Sequence, residues 1–395
     1  MTDFEATRAM FYLPDGVIYL DGNSLGPLPV AAQSRVASMM RDEWGDMLIT
    51  GWNRAGWMAQ PMALGDRIAR LIGAEPGHVV LGDTLSVKVY QALASALCMT
   101  DRKVILSDSG NFPSDLYMAE GLIRMLGQGH ELRVVAPEEV EDAIDETIAV
   151  TLITEVDYRT GRKHDMAALT ARAQAAGVLT IWDLAHSAGA LAVDVAGAGA
   201  DFAVGCTYKY LNGGPGAPAF IYVAPRHADQ VVPALSGWLG HEAPFAFDRD
   251  YRPAGGIERM RVGTPSVIQM ASLDAALDIW DGVDMEDLRA RSIALCDLFI
   301  AEVEAATDLV LASPRDGAQR GSQVSFRHAE GYAIMQALIA RGVVGDFRAP
   351  DILRFGFTPL YIGEADVRQA AAILADVMDT ASWDRPEFHR RQAVT

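Results

Sequence analysis

The chain has 395 residues, half of them hydrophobic and 22% charged, so a large core is available and global disorder is excluded. Asp plus Glu outnumber Lys plus Arg by 52 to 33, a net charge of -19, which argues against nucleic-acid binding by phosphate neutralisation and against docking on anionic membranes. The three cysteines, Cys98, Cys206 and Cys296, lack CxxC spacing, so neither a disulfide framework nor a zinc site is expected.

The N-terminus carries Asp3 and Glu5 where a secretory leader would be basic, and it has no apolar run. The uncharged stretch Tyr210 to Pro225 is broken by Gly and Pro and is too short to span a bilayer. A cytoplasmic chain without a membrane segment is expected. The opening region reads as irregular up to Pro29, and a helix is expected from Val30 to about Met47. Residues 51–60 read as a loop holding two Trp, and Pro61 suits the first turn of a helix ending at Ile72.

Strands and helices then alternate. Strands are expected at Val79–Leu81, Val104–Ser107, Leu132–Val135, Ala149–Ile153, Thr180–Asp183, Phe202–Gly205 and Ala219–Val223. Helices are expected at Ser86–Leu97, Ser114–Leu126, Val140–Asp145 and Met166–Ala176. The strands are short apolar runs without polar alternation, the pattern of a mainly parallel sheet covered on both faces. From Asp284 the texture changes to a smaller α+β unit. Its helices are Met285–Ala306, Tyr332–Ala340 and Glu364–Asp379. Its strands are Leu309–Ala312, Gln323–Phe326, Val343–Phe347 and Leu353–Phe357. The expected division is an N-terminal arm and helix over residues 1–50 that join the small domain, a large α/β domain over 51–280, and a small C-terminal domain over 281–395.

In such a sheet, functional groups gather at the C-terminal strand ends and the helix starts that follow. Gly82-Asp83-Thr84-Leu85-Ser86 joins a strand to a helix, and its free N–H groups and hydroxyls suit a phosphate, or form an ordinary N-cap. Asp183 ends an apolar strand, where a carboxylate needs a cation such as a protonated ring nitrogen, or serves as a helix cap beside His186. Lys209 lies in an apolar, glycine-rich stretch, where a lysine loses basicity and becomes nucleophilic, or snorkels to the surface. A phosphate cup, a strand-end Asp and a Lys in that order form the layout of a pyridoxal phosphate site. Phe112 and Asp115, in Asn111-Phe112-Pro113-Ser114-Asp115, could flank the cofactor ring or simply start a helix. Arg354 interrupts an apolar strand and could take a substrate carboxylate, or an internal one.

The segments YLDGNSLGPLP, NFPSD, DLAHSAG and TYKYLNGGPGAPAF, with TEVDYRTGRKHDM and GWLGH, stand in order over roughly residues 19 to 358. Together they resemble the kynureninase family, its bacterial members above all, within the fold-type I pyridoxal phosphate enzymes (aminotransferase class V branch). The resemblance implies that fold, a homodimer with active sites at the subunit interface, and pyridoxal 5'-phosphate as cofactor. It implies that Lys209 carries the cofactor, that Asp183 pairs with the ring nitrogen, and that Phe112 stacks on the ring with Asp115 and His186 nearby. Leu85 (backbone), Ser86 and Tyr208 match phosphate contacts, and Trp238 and Thr264 match contacts made from the partner subunit. Thr154 falls near a further cofactor contact. Ser86 stands where many relatives have Thr, and the hydroxyl is kept. Arg354 matches the substrate-carboxylate arginine, with Ser24, Trp52 and Trp57 as aryl-pocket candidates; Trp52 and Trp57 also suit interface or core packing. The implied reaction is hydrolysis of L-kynurenine, or also its 3-hydroxylated form, to anthranilate and L-alanine in tryptophan catabolism. A cysteine desulfurase would need a reactive loop cysteine, which the apolar contexts of Cys98 and Cys296 do not offer. An aminotransferase could use the same Lys209, Asp183 and Arg354. A non-catalytic relative would have lost the Lys or the Asp.

Overall fold

A computed structural model describes residues 1–391. The last four residues of the expected 281–395 domain therefore lie outside the described residues.

Seven strands form the large sheet, in the spatial order Val79–Leu81, Phe220–Val223, Phe202–Gly205, Leu179–Asp183, Ile148–Thr154, Val104–Asp108, Glu131–Val135. All run parallel except Phe220–Val223, which is antiparallel to both neighbours. Successive residues feed two separate cores. Leu106, Ile153, Trp182 and Ala203 enter one, and Ile105, Leu152, Ile181 and Val204 enter the other. Both faces of the central strands are thus dry, which is why those strands read as apolar runs, whereas the edge strand Glu131–Val135 stays partly exposed. The indole of Trp182, buried in one core, is satisfied by Thr170 Oγ1 at 3.0 Å.

The second sheet is antiparallel and small, in the order Val310–Leu311, Gln323–Arg327, Ile352–Gly356, Asp346–Arg348. Phe299, on the helix Met285–Ala306, packs on Phe326, Phe355 and Phe357 at ring distances of 5.0–6.2 Å. That helix starts where Asp284 accepts hydrogen bonds from the Glu286 and Asp287 N–H groups. The expected helices and strands of both sheets are present with ends shifted by a few residues. The stretch read as one strand over Val343–Phe347 is two, Val343–Val344 and Asp346–Arg348.

The first fifty residues differ most from expectation. The opening region is not wholly irregular: Asp3 caps a short helix, Phe4–Arg8, and Ile18–Tyr19 pairs in parallel with Val343–Val344. The helix expected over Val30–Met47 is present, α-helical to Ser38 and then widened to a π-helix over Met39–Gly45. Within that stretch the Glu43 carboxylate accepts from Arg35 at 2.8 Å and from the Trp57 indole at 2.8 Å, which ties it to the segment that follows. Leu48 then takes a left-handed φ of 49° and ends the run. Residues 51–60 are not all loop, because Gly51–Arg54 is helical and the next helix begins at Gln60.

The arm's main role is to reach across. Gly26 N–H donates to the Tyr208 carbonyl at 2.8 Å, and a Cβ on Gly26 would stand 2.5 Å from the Lys209 carbonyl oxygen. Only glycine permits that approach. The Gly356 N–H donates to the Leu20 carbonyl at 2.7 Å, which ties the same arm to the small sheet.

Candidate active site

Three strand ends and two helix starts surround one cavity of about 380 Å³ between the sheets. Among its lining residues are Ser24, Leu85, Ser86, Phe112, Asp115, Thr154, Asp183, His186, Tyr208, Lys209 and Arg354. These sequence-predicted residues come from segments far apart in the chain.

The helix Leu85–Leu97 opens one end of the cavity. Thr84 is its N-cap, yet no side chain caps the first turn, and Thr84, Leu85 and Ser86 all face the cavity. The turn is tightened by Asp83 at φ 56° and Gly82 at φ 156°. Uncapped N–H groups and the positive end of the helix dipole make this end a seat for an anion.

Asp183 closes the other end. It is 1% exposed at the end of its strand, beside Thr154 on the neighbouring one, and its Oδ1 accepts from the Ala185 N–H at 2.9 Å. Burial pushes its carboxyl up to about 6, with Lys209 pulling against that rise. Asp115 is equally buried, and its Oδ2 has no partner. Burial, and then the charge of Asp183, holds it well above the usual carboxylate range.

Lys209 Nζ lies 3.0 Å from His186 Nε2. Burial, reinforced by Lys209, keeps His186 well below the usual imidazole value, so the ring is neutral and accepts from the ammonium. The ammonium also sits 5.8 Å from the Tyr208 ring centre and 6.0 Å from that of Phe112. Tyr208 is held protonated, first by burial and then by Cys206 beside it. Phe112 is 43% exposed over the cavity and packs edge-on against Tyr158 at 5.1 Å.

Arg354 is 1% exposed and meets an internal carboxylate, Asp346, directly across the strand pair. Ser24 Oγ, on the arm, donates to the same carboxylate at 2.8 Å. Trp52, Trp238 and Thr264 do not reach the cavity. They lie together in a separate surface recess with Ile49, Met58 and Phe245. Trp57 is a packing residue, buried with Met39 and Ala271. The cavity also takes in Asn23, Tyr158 and Arg348, which sequence reasoning passed over. A signal for Arg348 was present: in Asp346-Phe347-Arg348 the first and third residues share a strand face.

An uncapped helix start, a buried carboxylate and a lysine lining one cavity match a molecule with a phosphate and a basic ring nitrogen. The orphaned Asp115 Oδ2 leaves a further polar contact for the ring's surroundings. Pyridoxal 5'-phosphate has these features, and the residues fit it. No cysteine lines the cavity. Cys206 and Cys296 are buried, and Cys98, expected to be buried in its helix, is instead exposed at the helix C-cap.

A family model described as the kynureninase C-terminal domain matches residues 288–374. The kynureninase of Pseudomonas fluorescens and that of Burkholderia pseudomallei are each 51% identical over 397 residues, covering 98% of this chain and 95% of each relative. Among solved structures, the apo cysteine desulfurase of Thermococcus onnurineus NA1 superposes with a TM-score of 0.80 at 18% identity, over 95% of this chain and 98% of that one. A C-DES mutant with glycine covalently linked to the PLP cofactor also gives 0.80 at 18% identity, over 93% and 99%. At such identity these structures establish the fold, which is fold-type I of the pyridoxal phosphate enzymes, class V branch.

Proposed function

The chain belongs to the kynureninase family, and on that premise we propose how its residues divide the work. It is a hydrolase of a carbon–carbon bond in a ketonic substrate, converting L-kynurenine and water to anthranilate and L-alanine with pyridoxal 5'-phosphate as cofactor. The observation that carries the assignment of roles is the meeting of Lys209, Asp183 and the uncapped helix start at Leu85–Ser86 in one cavity.

When bound, the cofactor supplies an electron sink for charge developing at the substrate Cα. The Leu85 N–H, Ser86 Oγ and Tyr208 would hold its phosphate, and Asp183 would keep its ring nitrogen protonated. Thr154, Asp115, His186 and Phe112 line the part of the cavity where the ring would be held. Lys209 would hold the cofactor and, once released from it, would take the proton from Cα, general-base work worth about 10²- to 10⁴-fold in rate. Neutral His186, 3.0 Å from Nζ, takes a share of that proton's charge. Water adds to the γ-carbonyl, the Cβ–Cγ bond breaks, and anthranilate leaves. Tyr208, a neutral phenol, returns a proton to Cβ as alanine forms. Arg354 would meet the α-carboxylate, and Ser24, whose hydroxyl donates to Asp346, stays a candidate for the aryl end.

We further propose a homodimer in which Trp238, Thr264 and Trp52 complete the partner's site. Their recess lies on a surface that exposes Leu48, Ile49, Phe245 and Phe247 at 63–79%, an apolar patch that suits a second copy of the chain. The arm over 1–50, the large domain over 51–280 and the small domain over 281–395 would then enclose the site. No helix among the described residues is long and apolar enough to cross a membrane. Unpaired cysteines fit a reducing compartment, and we place the protein in the cytoplasm.

The test is anthranilate fluorescence on mixing holoenzyme with L-kynurenine, without any keto acid. Anthranilate and alanine in equal amounts are expected, and Lys209→Ala should abolish both while still binding cofactor. A strict keto-acid requirement would instead mark a transaminase.

A further inference from the structure

Arg354 has little left to offer a ligand. Its Nε donates to Asp346 Oδ1 at 2.7 Å, and its Nη2 serves Asp346 Oδ2 and Ser24 Oγ. Its Nη1 donates to the Tyr158 carbonyl at 2.6 Å. A guanidinium has five N–H groups, so a single hydrogen on Nη1 remains. A carboxylate seeks a bidentate partner, and Arg354 alone does not provide one.

Arg348 lines the same cavity and is differently placed. Its Nη2 reaches Asp346 Oδ2 at 2.6 Å and Ser24 Oγ at 3.3 Å, while Nε is buried without a partner and Nη1 has none. Its side chain is 35% exposed, against 1% for Arg354. Two guanidiniums therefore share the one carboxylate of Asp346. Asp21 stands behind them, but burial and the charge of Asp346 push its carboxyl up to about 7, so it neutralises them only in part. The cavity wall keeps excess positive charge. Asn23 lines the cavity as well, fully buried, with neither its amide nitrogen nor its amide oxygen bonded.

We propose that Arg348 is a second anchor for the substrate's α-carboxylate, taking one oxygen with its free guanidinium hydrogens while Arg354 Nη1 takes the other and Asn23 closes the contact. Arg348 is then a specificity-determining residue that selects amino acids over amines and amino-acid amides. The inference rests on the kynureninase reading of this cavity, and its test is built to fail separately from that reading.

The experiment compares wild-type holoenzyme, Arg348→Gln and Arg348→Lys on L-kynurenine and on its α-carboxamide. The same proteins are titrated with L-alanine and L-alaninamide, read by cofactor absorbance. Losing a hydrogen bond to a charged group should raise KM for kynurenine and Kd for alanine by about 10- to 100-fold in Arg348→Gln. The amides should change by less than about threefold, since they offer no charge to lose. Arg348→Lys should recover part of the loss, and kcat should move far less than KM. Equal effects on acids and amides, or no effect on either, would overturn the proposal. A wild type that makes no anthranilate would refute the kynureninase reading, and the alanine titration would still decide the role of Arg348.

Discussion

Asp115 and Asp183 are both buried, and one ammonium, that of Lys209, is set against them. Burial has pushed Asp183 up to about 6 from an ordinary value of 3.8. Between those values the folded apo-protein keeps a proton that the unfolded chain has released, so this group lowers stability as pH rises through the window. Asp183→Asn removes that loss. In urea unfolding of the apo-proteins, the variant should match the wild type below about pH 4, gain on it up to about pH 6, and hold its advantage above. A difference that does not vary with pH would mean that Asp183 is not the strained group. Cofactor affinity should respond in the opposite sense, because the ionised carboxylate is what a protonated ring nitrogen pairs with. The site thus stores cost in the apo state and releases it on binding.

The arm acts on the site as an element. Gly26 lets residues 20–29 lie against the loop of Lys209, and Gly26→Ala places a methyl group 2.5 Å from the Lys209 carbonyl. The expected cost is about 1–3 kcal/mol of stability, as for overpacking elsewhere. Displacement of Lys209 should lower kcat further than that loss alone would, which thermal unfolding and kinetics on the same preparation will separate. A variant with normal kcat would show that the loop is indifferent to the arm. Lys88 ties the helix start from beneath. It is fully buried, bonded to Gln91 at 2.9 Å and within 3.4 Å of Asp83 and of the Met260 carbonyl, and burial lowers it to about 8.

Elements buried on both faces were legible, because short, uncharged, β-branched runs such as Ile148–Thr154, buried at every residue, leave few alternatives. The helices Met285–Ala306 and Glu364–Asp379 fell within their expected bounds for a similar reason, an acidic first turn followed by a long apolar stripe. The π-helical stretch after Ser38 was not legible, since a side chain within it, Glu43, takes its partner from Trp57, fourteen residues on. Asn23 and Arg348 were missed for a related reason. What matters is which of their polar atoms lack partners, and that is decided only when the arm, the strand Asp346–Arg348 and the large sheet close on one another.

At the scale of the whole molecule, the homodimer proposed above, with Trp52, Trp238 and Thr264 reaching the partner's site, predicts mixed-subunit behaviour. Lys209→Ala and Trp238→Ala should each lose most activity. When the two are unfolded together and refolded, heterodimers carry one site with both residues intact and should regain anthranilate release. No recovery would mean that each chain builds its site alone. The large sheet has a consequence in time as well as in space. Among the described residues the strand Val79–Leu81, which leads into the anion seat, pairs only with Phe220–Val223, and does so antiparallel. A ribosome therefore releases the beginning of the site long before it releases the strand that shelters it. Until residue 223 emerges, Val79, Val80 and Leu81 form an apolar edge open to any passing strand, so nascent chains stalled short of that point are the ones a chaperone must hold.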